Sequence, residues 1–161
     1  DSRDVEKLKN AVKNIKKISS KIKFPKKQCF IRIPKFVPSD IKGEIIADLE
    51  ELEKCYKAGC YRSVTIICGR LLETALHRKY YETTGQDILE KNPGIGLGNL
   101  IAKLSEKNVK FDPGLTQQIH LINQVRIFSV HKKKQPFYPS QAQAQAMLLY
   151  TTDALDKLFQ K

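Results

Sequence analysis

Arg126 and His131 close the stretch Arg126-Ile127-Phe128-Ser129-Val130-His131, and Lys132, Lys133 and Lys134 follow at once. A guanidinium, an imidazole and a lysine run in so short a span suit an anionic partner, nucleic acid first. Arg126 falls seven residues after Ile119 and four after Ile122, on an apolar helical stripe. A guanidinium in that position needs a partner or a shared interface. His131 is placed at a helix C-terminus, where the last carbonyls favour a cationic imidazole. In an unbroken helix the two side chains stand about 140° apart. They converge only if the helix unwinds near Ser129–His131 or if two subunits pair.

A second polar row interrupts an apolar helix. Ser63, Ile66, Arg70, Glu73 and His77 recur at i, i+3/i+4 spacing. Glu73 is spaced to pair with Arg70, with His77, or across a bundle with Arg126; an ordinary intrahelical ion pair on a half-exposed strip fits the spacing equally.

The elements that must position these residues are helical. Residues 3–22 carry Val5, Leu8, Val12, Ile15, Ile18 and Ile22 at spacings of three or four, an amphipathic helix with a lysine-rich face. Pro25, Pro34 and Pro38 make 23–38 a connector, extended or strand-like over Cys29–Ile33 and expected to dock through Phe30, Ile31 and Phe36. Ser39 or Asp40 caps a helix reaching Ala58, with Gly59 at C′, buried along Ile41, Ile45, Leu49, Leu52 and Tyr56. Its outer face is read as acidic: Glu44, Asp48, Glu50, Glu51 and Glu53.

A helix over 61–83, apolar around most of its wheel and stopped by Gly85, forms the centre of an antiparallel hairpin with it. One helical turn is expected at Asp87–Glu90 and a short helix over 97–107. Asp112-Pro113 opens a helix to Val130, with Leu115, Ile119, Ile122, Val125, Phe128 and Val130 on its core side. Ser140 and Gln143 form a capping box for a last helix to about Gln160. Its core side is expected to be Ala144, Met147, Leu148, Tyr150, Leu155, Leu158 and Phe159. The fold class is all-α: four main helices plus a short one (39–161), preceded by a basic arm and connector (1–38).

The chain has 161 residues and a formal net charge of +12. Residues 1–35 hold twelve Lys/Arg and three acids, or +9; residues 36–161 hold seventeen and fourteen, or +3. The charge is thus an arm plus one loop. Lys13, Lys16 and Lys17 in the arm, and Lys132–Lys134 in the loop, are placed to neutralise nucleic-acid phosphates; a solvated lysine face on a packing helix fits the arm equally well. The arm's stripe is aliphatic, so base stacking falls instead to Tyr138, with Phe137, beside the lysine loop. Cys29, Cys55, Cys60 and Cys68 lack C-x-x-C spacing, and His77, His120 and His131 lack H-x-x-x-H spacing, so no metal site is expected. Buried or half-buried free thiols in a reducing compartment are expected. Gly94-Ile95-Gly96-Leu97-Gly98 lacks the Lys-Ser/Thr of a phosphate loop and reads as a helix entry. No cofactor is expected. No apolar run reaches the length of a membrane span and no signal-peptide pattern opens the chain, so the expected location is cytoplasmic. The first residue is Asp1 rather than Met, the pattern of a trimmed chain or of part of a longer protein.

The Arg126-x4-His131 motif resembles the signature of the HEPN superfamily of helical bundles, in which Arg, four to six residues and then His lie near the end of a late helix. Lys57-Ala58-Gly59-Cys60-Tyr61-Arg62-Ser63, then Gly69-Arg70-Leu71-Leu72-Glu73, and Leu97-Gly98-Asn99-Leu100-Ile101 resemble a prokaryotic branch of it. The resemblance covers about residues 40–160. It implies a homodimer that binds RNA or a nucleotide. In catalytic members it implies metal-independent RNA cleavage, with His131 moving the proton, Arg126 holding the scissile phosphate and Glu73 orienting Arg126. Active members usually carry a polar residue after the Arg, where this chain has Ile127. The alternative is a non-catalytic dimerisation or adaptor module whose basic arm meets a protein partner; an anionic membrane surface is the least favoured contact.

Overall fold

The chain is described as a computed structural model over residues 2–19, 21, 31–131 and 135–160. Seven helices run along the described residues: α1 (Ser2–Ser19), α2 (Ser39–Ala58), α3 (Tyr61–Thr84), α4 (Ile88–Lys91), α5 (Leu97–Glu106), α6 (Pro113–Val130) and α7 (Gln141–Phe159), with no strand among them. Local signals set most boundaries. Gly59 ends α2 at φ 79° and Gly85 ends α3 at φ 66°, left-handed backbone that a glycine adopts without a Cβ clash. The Asp112 carboxylate accepts from the Leu115 N–H to start α6, and Ser140 and Gln143 close the capping box of α7. At the head of α2 the outcome differs from expectation: the N-cap is Pro38, without a side-chain cap bond.

α3 is the central helix and packs against α2, α6 and α7. Val64, Cys68, Leu71, Leu72, Ala75 and Leu76 are fully buried on it, as its nearly continuous apolar wheel requires. Ile45, Leu49, Leu52 and Tyr56 of α2, Leu115, Ile119 and Ile122 of α6, and Ala144, Met147, Leu148, Leu155 and Leu158 of α7 complete the core. Burial pushes the Cys68 thiol up to about 12, so it is an inert core side chain. Cys55 is half-buried and Cys60 exposed; Cys29 lies outside the described residues.

Several side chains sit elsewhere than expected. Phe128, Val130 and Tyr150 are exposed. On α6 the inward row runs Leu115, Ile119, Ile122, Arg126 and Ser129, and the last two polar residues displace Phe128 and Val130 outward. Asp48 is buried rather than on an outer acidic face and binds Arg70 of α3 at 2.8 Å. Phe36 is exposed, and the connector docks instead through Val37, Pro34 and half-buried Ile31. Asp156 of α7 holds it there, accepting from the Arg32 guanidinium and, at 2.8 Å, from the Lys35 N–H. Of the segment expected to be extended over 29–33, residues 31–33 form no strand, and residues 29–30, Phe30 among them, lie outside the described residues.

Among the described residues, α1 belongs to none of the main helix pairs that build the bundle. No helix among the described residues is long and apolar enough to cross a membrane.

Candidate functional site

Arg126 reaches α3 because α3 has no side chain at residue 69. A Cβ on Gly69 would lie 2.2 Å from the Arg126 Cδ and 2.9 Å from its Cγ, so the glycine is the groove that seats the arginine stem. From there the guanidinium meets Glu73 as a fork: Nη1 to Oε1 at 2.7 Å and Nη2 to Oε2 at 3.1 Å. Both side chains are about a quarter exposed. Bidentate pairing fixes the plane of the guanidinium and leaves its remaining N–H donors for another acceptor. Of the partners open to Glu73, the bundle selects Arg126. Arg70 turns to α2 instead, donating from Nε to Asp48 and from Nη2 to Glu44, both at 2.8 Å; these contacts, Asp48 first, raise its already high pKa. His77 has a buried Nδ1 with no hydrogen-bond partner, and burial pushes its pKa down against the pull of Glu73 and Asp87.

Beside Arg126, α3 and α6 are joined by a buried hydroxyl pair, Thr65 Oγ1 to Ser129 Oγ at 2.8 Å. α6 stays helical through Val130 and leaves the helix at His131 (φ −92°, ψ 141°), whose N–H still bonds the Ile127 carbonyl at 3.0 Å. Unwinding therefore begins at His131 itself.

His131 faces a groove of about 370 Å³ shared with Arg62, Phe128 and Phe137. Arg126 and Glu73 are not among the residues that line it. Arg62 donates from Nη2 to the Phe137 carbonyl at 3.0 Å and stands 5.1 Å from the centroid of the Tyr138 ring. Tyr138 is 75% exposed. Phe128 and Phe137 meet at 6.1 Å with a 51° tilt, a favourable aromatic geometry. The groove thus offers a fixed guanidinium, an exposed imidazole and aromatic faces, the combination used to hold phosphates while bases stack.

The expected site residues therefore divide. Arg126 and Glu73 are brought together; His131 and Tyr138 flank a separate groove. Lys132, Lys133 and Lys134 follow His131 in sequence and lie outside the described residues. Lys13, Lys16 and Lys17 are exposed on α1. Arg62 and Phe128 were not legible as groove residues, because nothing in their spacing links the start of α3 to the end of α6. Gly69 carried a signal, a glycine inside an apolar helix, which often marks a close approach. Among the described residues no group of three or more His, Cys, Asp or Glu is arranged to hold a metal ion.

The class these features define is an all-α bundle centred on one buried helix. No family model, curated protein or solved structure matches the chain.

Proposed function

We propose that the chain is a HEPN-like RNA-binding domain whose binding surface is the groove at the end of α6. The observation that carries this reading is the groove itself. Arg62, His131 and the exposed Tyr138 ring converge where the lysine run Lys132–Lys134 enters the sequence. Phosphates meet the cations and unpaired bases stack on the ring. The test is binding of a fluorescent single-stranded RNA at several salt concentrations. Tyr138→Ala and Arg62→Ala weaken binding, and affinity falls as salt rises; equal affinity for wild type and both variants defeats the proposal.

A second reading, metal-independent cleavage, is favoured by one observation: Glu73 holds Arg126 in a fork that orients it for a phosphate. Here His131 is the acid/base, and a second subunit brings it to Arg126. Structured RNA incubated with chelator separates the two readings. Cleavage that His131→Ala and Arg126→Ala abolish supports catalysis; intact RNA that nevertheless binds leaves the groove as a binding surface alone.

A further inference from the structure

Two surfaces among the described residues are open to solvent and complement each other. The first is the apolar stripe of α1: Val5 is 55% exposed, Leu8 70%, Val12 45%, Ile15 65% and Ile18 60%. Five aliphatic side chains in one row are costly to leave in water. Around them stand Arg3, Lys7, Lys9, Lys13, Lys16 and Lys17 against Asp4 and Glu6, a net +4 over the helix. At about 100° per residue, Lys7 runs along one edge of the stripe and Lys9 and Lys16 along the other.

The second surface is a cleft of about 460 Å³ where α2, α3 and α4 meet. Ile41, half-exposed Tyr81 and Leu89, which is 40% exposed, give it an apolar wall. Asp40, Glu44 and Asp87 give it carboxylates. Arg70 and Arg78 also line it, Arg70 paired with Glu44 and Asp48 and Arg78 with Asp40. Counting Asp48 and Arg126, which lining residues hold, five carboxylates meet three guanidiniums, so the cleft is negative by two.

We infer that α1 of one chain docks in this cleft of a second copy, its aliphatic stripe on Ile41, Tyr81 and Leu89 and its basic edges toward the net negative charge of the cleft. Charge complementarity selects the occupant. Two α1 helices side by side set +4 against +4, and the seven-residue seam begun by Val5, Leu8, Val12 and Ile15 meets Ser19 next, with Ile18 off the seam. Reciprocal exchange of two arms gives a closed twofold dimer. The inference does not rest on the RNA reading.

The experiment uses the full chain throughout. Its mass is measured by light scattering and sedimentation across concentration. The expected result is a dimer that dissociates more readily as salt rises. Leu8→Asp/Ile15→Asp, on a helix outside the bundle packing, yields a monomer. Leu89→Lys in the cleft does the same, with Tyr81→Lys as a second cleft variant if the first alters thermal unfolding. An equimolar mixture of an arm variant and a cleft variant restores a heterodimer held by the one intact arm and the one intact cleft. A wild-type chain that is monomeric at every concentration overturns the inference. So does a dimer that survives both cleft variants, which means that the arms pair with each other. So does a monomer that sediments with phosphatidylserine vesicles, which assigns the stripe to a membrane surface.

Discussion

Arg126, near the end of α6, and His131, its C-cap, are near in sequence, yet their surroundings have opposite characters. Around Arg126 every feature is closed: a glycine seats the stem, a carboxylate takes two N–H groups, and a buried hydroxyl pair lies nearby. Around His131 the features are open: a groove that it lines, and beside it an exposed ring with a cationic side chain over its face. One residue of the motif is built into the bundle and the other lines an open groove. Within one chain the two residues of the motif thus have different neighbours. That difference can be attacked from both sides.

The largest effect is expected at Gly69. Even an alanine Cβ would meet the Arg126 stem at 2.2 Å, and the β-branched side chain of Gly69→Val cannot fit unless Arg126 leaves. Glu73 then loses its counter-ion in a half-buried place. Overpacking and an orphaned charge together should cost about 3 kcal/mol or more. Gly69→Ala should cost less, because alanine returns about 1 kcal/mol of helix propensity. Urea denaturation measures both; a Gly69→Ala variant as stable as wild type would show that Arg126 is not held against α3.

Next comes the ion pair. Glu73→Gln keeps the shape and removes the charge, and should cost about 1–3 kcal/mol, between the values for exposed and buried pairs. Adding Arg126→Met should recover part of that loss, since two apolar-compatible groups replace one stranded cation. Two losses that simply add would mean that the pair contributes no coupling. RNA affinity at the groove should stay near wild type in Glu73→Gln, and a parallel fall would join the two regions after all.

How much of this was legible in the sequence follows from the range of each interaction. The helices were readable because caps and periodicity are local: Gly59, Asp112-Pro113 and Ser140 with Gln143 act where they stand. Arg126 was readable as an anomaly, being polar on an apolar row. Its partner Glu73 was named as the residue orienting it, but spacing alone left that choice open, because Glu73 also lay within reach of Arg70 and His77 along one helix. Choosing among them required knowing that α2 brings Asp48 and Glu44 to Arg70, a tertiary fact. The same cause misplaced Phe128. Hydrophobicity assigns it inward, and it is exposed because Arg126 and Ser129 already occupy the inner row. The groove was the least legible part, since Arg62 and His131 come from distant stretches of chain.

At the open end, removing one stacking ring should reduce affinity without touching the fold. Tyr138 is 75% exposed, so Tyr138→Ala should leave the urea midpoint unchanged. It should weaken single-stranded RNA binding by about tenfold, as expected for one lost stacking contact of roughly 1–3 kcal/mol. Lys13→Glu/Lys17→Glu should act differently, flattening the salt dependence by roughly one unit of slope or more. If Tyr138→Ala instead unfolds the chain, the ring is structural and the comparison fails.

The smallest effect is a pH dependence at His77, beside the closed centre. Burial holds its imidazole below the ordinary value of 6.5, although Glu73 and Asp87 pull the other way. The unfolded chain accepts a proton near that value while the folded chain resists it, so below it the unfolded state binds more protons. Above it both states carry neutral imidazole and His77 has no pH-dependent effect. As pH falls through 6.5 the folded state loses ground, and the loss levels off once pH passes below the folded pKa. His77→Gln removes the titration and keeps a polar side chain. Comparing urea midpoints at about pH 7.5 and about pH 5.5 isolates the residue, because the carboxylates titrate in both proteins. The wild type should lose more stability than His77→Gln on acidification. An equal loss would mean that a counter-charge compensates the proton at His77, and the carboxylates to examine first are Glu73 and Asp87.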